Sequence, residues 1–445
     1  MPNVEPTTTP EVNTVPMLEL VGVGVGVENM GNHPARSDLW AAAQACRGRY
    51  LLDDHASAPM LSITDGDLED RRRTSHVLEA ALEHFMDSYP LPIMIAGPAA
   101  PAGALADTMQ AANGRRIVGL DGRYTGTPVL HCQRGQVLQS YLNDTPDSLW
   151  DILFHTFYTY PDAPVISIAA RDGLFVRASQ LLSVDRSGYE TLLASSQPPK
   201  IAADLSENCS MLTLACRGRI DALRATAHKV YDRMHITWNN GRQVMRTASC
   251  FDGWKPGESA TPGTPYVQQP WTPFQIAQYN HLQHFGTVHC PQRAAYLDEA
   301  DRLVAVAERQ MRFEIALRRA LAPLEGRPPT RVFYDYGSTH NLRAGNAYFR
   351  WLSSGLKALY PEFDLFDPTV GYDLAQVLGD LGAGSPFVAV ALASMAGMQS
   401  GGATLIANLR RQEGVSLMLI QPPSDEQRKK DASIQRPLWP HANFD

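Results

Sequence analysis

Val332-Phe333-Tyr334-Asp335-Tyr336-Gly337-Ser338-Thr339 is a short apolar run that turns polar at a tyrosine and a glycine, and it reads as a strand over Arg331 to Tyr336 followed by a loop. Downstream, Gly371-Tyr372-Asp373-Leu374-Ala375-Gln376-Val377-Leu378-Gly379-Asp380-Leu381-Gly382-Ala383-Gly384 leads into a buried helix of small residues around Pro386 to Met398. Two closing strands follow, at Ala403 to Leu409 and Val415 to Ile420. Upstream, a long helix is predicted over Asp298 to Leu321, because Leu303, Val304, Val306, Ala307, Met311, Ile315 and Ala316 recur close to helical spacing, and Pro323 ends it. A further helix at about Ala344 to Leu359 lies between the two motifs.

The N-terminal part carries the same alternation. Leu18-Glu19-Leu20-Val21-Gly22-Val23-Gly24-Val25-Gly26-Val27 is a strand. Its glycines do not make a dinucleotide-binding loop, since Val27 or Asn29 stands where a third glycine is required. They read instead as positions where another backbone comes close. A capped helix is expected at Ser37 to Arg47, an amphipathic helix at Thr74 to Tyr89, and a short strand at Ile93 to Ala96. The order recurs as a helix opened by Thr145-Pro146 and running through Tyr160, then a strand at Val165 to Ala170. Met211 to Ala215 reads as a further strand and Asp221 to Arg233 as a further helix. Helix then strand, twice, implies a layered α/β unit.

A chain of 445 residues is long for a single core, so two domains or two repeated halves are expected. A net charge of −7, with basic residues scattered apart from Arg71-Arg72-Arg73 and Arg428-Lys429-Lys430, leaves no footprint for nucleic acid. The six cysteines form no Cys-x-x-Cys pair and read as free thiols of a reducing compartment. No stretch approaches a membrane span or a secretory signal, so the expected location is cytoplasmic.

The segments around Tyr336 and Asp380 resemble the strand, loop and buried-helix segments of the thiolase and ketosynthase enzymes, and Leu18 to Ala43 is similar to their first strand, loop and helix. The resemblance implies a layered thiolase-like fold of two similar α/β halves. On it the chain divides into a disordered tail (1–16), an N-terminal half (17–245), a Gly/Pro-rich connection (246–275) and a C-terminal half (276–445). It also implies that Tyr336 and Asp380 stand where those enzymes carry catalytic histidines. An ionised carboxylate there would repel the negative charge of an enolate, so the usual condensation is not expected and the two residues are candidates for a degenerate pocket.

Near the C-terminus, Gly401-Gly402-Ala403-Thr404-Leu405-Ile406-Ala407-Asn408-Leu409-Arg410 and Gln421-Pro422-Pro423-Ser424-Asp425-Glu426-Gln427-Arg428-Lys429-Lys430 resemble the ending of the bacterial type VI secretion lipase adapter family. Thr145 to Pro164, Gln269-Pro270-Trp271-Thr272-Pro273 and Phe285-Gly286-Thr287-Val288-His289 are similar to segments of that family in the same order. This resemblance implies a non-catalytic carrier whose partners are a lipase effector and a VgrG-type spike, with no cofactor. The alternatives are a divergent acyl-transfer enzyme on the same scaffold, or a structural partner of an active ketosynthase.

The candidate partner-binding residues are Trp271 and the basic run Arg428, Lys429 and Lys430, because Pro422-Pro423 ends a strand and leaves the charged stretch with no evident packing duty. Trp254 and Trp351 fit a core or an interface equally. His281 and His284, one helical turn apart, with His289 and Cys290 are the nearest approach to a metal set, but no second pair with ligand spacing follows and none is expected to bind metal. Cys46, Cys132 and Cys290 lack a helix start directly after them, which is what activates a thiol, and no Gly-x-Ser-x-Gly elbow is present. No catalytic residue is expected.

Overall fold

The computed structural model describes residues 15–27, 93–98, 137–142, 147–173 except 162, 205–226, 233–239, 242–248, 273–337 and 342–433, together with positions 74, 77 and 81. The tail 1–16, the helix expected at Ser37 to Arg47, most of the connection 246–275, and Cys46, Cys132, Trp254 and Trp271 lie wholly or almost wholly outside these residues.

The N-terminal half contributes β1 (Met17–Val27), β2 (Ile93–Gly97), β3 (Val137–Leu142), β4 (Val165–Asp172) and β5 (Asn208–Ala215). The C-terminal half contributes β8 (Gly286–His289), β10 (Arg331–Asp335), β11 (Gly371–Asp373), β12 (Thr404–Asn408) and β13 (Gly414–Gln421), with a short β9 (Gln292–Ala295) hung on β13. Across the joined sheet the order is β11-β10-β12-β13-β8-β1-β5-β4-β2-β3. Ranked within its own half, each set of strands runs third, second, fourth, fifth, first. In each half the fifth strand is antiparallel to both its neighbours, whereas the fourth, second and third lie parallel. The halves meet where β1 pairs antiparallel with β8, from Met17 opposite His289 to Leu20 opposite Gly286. This duplicated topology makes a layered fold of two similar α/β halves, the arrangement that the thiolase resemblance implies.

In both halves the chain passes from the third strand to the fourth through a helix: α1 (Ser148–Thr159) and, after the short turn α6 (Leu374–Leu378), α7 (Ser385–Ser400). Both belong to one core cluster, which also takes the inward side chains of β1, β4, β5, β10, β12 and β13. Trp150 of α1 stacks on Phe387 of α7 with centroids 5.3 Å apart. A second cluster covers the outer face of the N-terminal sheet, under α2 (Arg217–Thr226) and α3 (Pro273–Asn280). A third covers the outer face of the C-terminal sheet, under α4 (Val306–Leu321) and α5 (Leu342–Leu359).

Strand alternation explains the sorting. On β10, Phe333 faces the shared core while Val332 and Tyr334 face the third cluster. On β1 a bulge between Leu20 and Gly22 resets the alternation, so that Leu18 and Leu20 before it and Val23 and Val25 after it reach the same core. The glycines of β1 do admit another backbone: a Cβ on Gly24 would lie 2.0 Å from the Val77 carbonyl oxygen, and one on Gly22 would lie 2.5 Å from that of Ala81.

Three expectations change. The long helix begins at Val306, not Asp298, because the Asp298 carboxylate accepts from the backbone N–H of Ala300 and Arg302 and folds a tight turn with Asp301 at φ 56°. Leu303 then bridges to Leu297 as extended chain. The helix expected at Asp221 to Arg233 starts earlier, as α2, and Arg233 instead opens a hairpin of β6 (Arg233–Asn239) and β7 (Arg242–Ala248). His281 and His284 do not share a helical face, since α3 ends at Asn280.

Replacing Gly24 with alanine is expected to force the segment carrying Val77 away from β1 and to destabilise the protein by about 1–3 kcal/mol, read as a lower urea midpoint.

Candidate functional site

At the C-terminal end of β10 the sheet hands over to the loop that precedes α7, and this is where the two candidate pocket residues lie. Asp335, the last residue of β10, is buried. Its carboxylate accepts from the Ser385 hydroxyl at the start of α7, from the Gly337 N–H at 2.8 Å, and from Arg410 Nη1 at 3.0 Å. Arg410 arrives from just beyond β12, and its other terminal nitrogen donates to Asp380 at 2.7 Å. Asp380 also accepts from the Gly382 N–H at 2.9 Å. One guanidinium thus serves two carboxylates. Burial alone would lower the Arg410 pKa, but the charges of Asp335 and Asp380 outweigh it and hold the cation protonated.

The loop around Asp380 belongs to the C-terminal half but is held by the N-terminal one. The Ser206 N–H donates to the Asp380 carbonyl at 2.9 Å, and the Ser206 hydroxyl donates to the Leu378 carbonyl. Asn208 Nδ2 donates to the carbonyls of Ser206 and Leu381, at 2.9 and 3.1 Å. Asp172, at the end of β4, accepts from the Ala383 N–H at 2.7 Å and the Gly173 N–H at 2.7 Å. Gly384 is needed for this closeness, since a Cβ there would stand 1.8 Å from Asn208 Oδ1.

Tyr336, immediately after Asp335, is half-buried and stacks on Tyr334 with centroids 6.1 Å apart. Burial, and then its hydrogen bond with the Asp373 carboxylate, push its phenol well above the usual range, so it stays neutral. Asp373 in turn caps α6 by accepting from the Gln376 N–H at 3.1 Å. The structure therefore brings Tyr336 and Asp380 to one corner, linked through Asp335 and Arg410. Sequence reading missed Arg410 and Asp335, although both stand inside the stretches it quoted.

The arrangement is that of a fastening. Both carboxylates are committed to a guanidinium and to backbone N–H groups. At the start of α1 the N-cap residue is Asp147, buried and 3.2 Å from Arg293 Nη1. Among the described cysteines Cys209 is buried in β5, and Cys290 is half-buried with its N–H on the Pro16 carbonyl. Cys216, which the sequence reading did not single out as a nucleophile, directly precedes α2 at the opposite end of β5 from Asn208.

The histidines separate. His289 Nε2 lies 2.6 Å from Gln421 Oε1, and His284 Nε2 lies 3.4 Å from Thr287 Oγ1. Burial lowers the pKa of both. Among the described residues no group of three or more His, Cys, Asp or Glu side chains gathers to hold a metal.

The C-terminal run does not dangle. Pro422 and Pro423 follow the end of β13, but Asp425 to Ser433 then form α8, which side-chain hydrogen bonds tie back to the rest of the fold. Arg428 donates to the Met398 carbonyl near the end of α7 at 3.2 Å and to Asp425 at 2.6 Å. Asp431 is buried and accepts from Gln427 at 2.6 Å. The expectation that Arg428 has no packing duty is therefore corrected: it satisfies a carbonyl that the helix end leaves open. Lys429 and Lys430 are exposed. Trp351 is half-buried against the third cluster, tilted against Tyr348 at 5.2 Å and edge-on to Tyr296 at 6.2 Å.

Comparison with known proteins finds two family matches. Residues 16–187 match the family described as type VI lipase adapter protein Tla3, N-terminal, and residues 285–422 match its C-terminal counterpart. Among solved structures, AntDE:AntF, a type II polyketide synthase acyl-carrier protein in complex with its ketosynthase bound to the hexaketide, is 14% identical, with a TM-score of 0.44, covering 92% of this chain and 100% of that one. The ishigamide ketosynthase/chain length factor is 11% identical with a TM-score of 0.42, covering 92% and 99%. The 3-oxoacyl-(acyl carrier protein) synthase III of Pseudomonas aeruginosa PAO1 is 12% identical with a TM-score of 0.38, covering 92% and 99%.

Replacing Arg410 with methionine leaves the buried Asp335 and the half-buried Asp380 without their cation, and is expected to cost about 3–5 kcal/mol of stability at neutral pH, read from urea titrations.

Proposed function

The chain belongs to the type VI lipase adapter family, and we propose that it is a non-catalytic carrier, which binds a phospholipase effector in the cytoplasm of the producing cell and helps load it onto a VgrG-type spike. The observation that carries the reading is the match of both family models, one in each half of the thiolase-like scaffold. The fastening at Arg410 supports it from the chemical side. In the corner that would have to stabilise a developing enolate charge, the one guanidinium is already shared by Asp335 and Asp380. Among the described residues no helix is long and apolar enough to cross a membrane.

Two measurements test this reading. Purified protein mixed with the lipase effector of its own secretion system is expected to form a complex stable to gel filtration, and absence of any such complex would overturn the reading. Acyl-thioester substrates are expected to turn over no faster with wild type than with a Cys216→Ala/Cys290→Ala variant. Turnover that the double substitution abolishes would favour the acyl-transfer alternative.

Lys429 and Lys430 are the members of the basic run whose reversal should leave folding intact, because both are exposed on α8. A Lys429→Glu/Lys430→Glu variant is expected to lose lipase or spike capture with its melting temperature almost unchanged. Arg428→Glu, which also uncaps α7, should lower the melting temperature.

A further inference from the structure

The loop between α5 and β11 reads Tyr360-Pro361-Glu362-Phe363-Asp364-Leu365-Phe366-Asp367-Pro368-Thr369-Val370. Phe366 in it is 72% exposed, the most exposed large apolar side chain among the described residues. A lone exposed apolar residue needs no explanation. This one is held in place from three sides. Its ring stands edge-on to Phe349 at 5.5 Å, and Phe349 rests on Tyr334 of β10 at 4.9 Å. Its N–H donates to Asp364 Oδ1 at 2.9 Å, and Asp367 Oδ1 accepts from the N–H and hydroxyl of Thr369 at 2.8 and 2.7 Å. Leu365 is buried beneath it, against a Gly371 whose Cβ would strike the Leu365 carbonyl at 1.9 Å.

The loop that carries the ring has one sign of charge. Glu362 and Asp364 are exposed, and the hydrogen bonds from Thr369 hold the Asp367 carboxyl below its ordinary pKa, so it is ionised at neutral pH. No lysine or arginine occurs between Tyr360 and Val370. An anionic rim is repelled by an anionic membrane surface, which argues against a lipid occupant. A rigid aromatic in a charged rim instead has the form of an interface anchor, whose side-chain and loop ordering has been met before the partner arrives.

We propose that Phe366 and its acidic rim form the docking element for the lipase effector, inserting the ring into an apolar socket on that protein bordered by lysine or arginine. This rests on the adapter reading above and adds the surface and the chemistry of its counterpart.

The test uses the full chain and the purified lipase, with affinity measured by calorimetry at low and high salt. Phe366→Ala is expected to weaken binding at least tenfold with no change in melting temperature. Glu362→Gln/Asp364→Asn, which keeps the acceptor for the Phe366 N–H, should weaken binding at low salt and flatten its salt dependence. Binding by Phe366→Ala within twofold of wild type would overturn the inference while leaving the adapter reading standing. Loss of self-association by Phe366→Ala in sedimentation, with lipase binding kept, would also overturn it, by assigning the loop to a second copy. Failure of wild type to bind the lipase at all would remove both.

Discussion

A helix that is apolar on every side has to be covered on every side, and α7 is such a helix: each residue from Ser385 to Gly397 is buried. One sheet cannot cover it. The β-strands of both halves have to turn a face toward it, with α1 lying alongside, and the duplicated topology meets that demand. Small side chains make the fit possible. Gly397 leaves room for Pro422, whose Cβ would stand 2.9 Å from a Cβ at that position, and Ser394 hides its hydroxyl on the Phe285 carbonyl at 3.0 Å.

Packing of this kind is non-directional, so it does not by itself choose how one half sits against the other. The polar corner at the start of α7 supplies direction. Asp172, Ser206 and Asn208 of one half bind backbone groups of the loop 378–384 of the other, while Arg410 ties that loop to the end of β10 through Asp380 and Asp335. Buried ion pairs contribute little net stability, since desolvation offsets their attraction. Their value here is geometric. Donors and acceptors that must all be matched permit one docking and penalise others.

The parts of the fold that were legible in sequence are those whose local pattern and tertiary role agree. The run Val332 to Tyr336, the small-residue helix and the closing strands each state one structure at every scale. Asp298 to Val304 misled because Leu303 and Val304 continue the helical spacing, while the Asp298 carboxylate, by closing a turn on the N–H groups of Ala300 and Arg302, decides otherwise. The β6–β7 hairpin had a signal that went unused: Asn240-Gly241 between the alternating Met234, Ile236, Trp238 and Val244. Of the candidate site, Tyr336 and Asp380 were visible as departures from a resembling pattern. Arg410 was not, because an arginine two residues past a strand looks like solvated surface until the carboxylates opposite it are known. Arg428 was misread for the same reason in reverse: whether a charged side chain caps a helix end is set by the carbonyl it meets, here Met398.

The seam between β1 and β8 also has a consequence for the order of assembly. Met17 pairs with His289, so β1 waits for a strand that is synthesised only after the whole of the first half. Until then β1 can pair with β5 alone, and a strand whose side chains are almost all apolar presents an open edge. Such an edge is a template for pairing with the wrong chain. Until β8 is made that edge stays open, and it is the pairing of β1 with β8 that covers it.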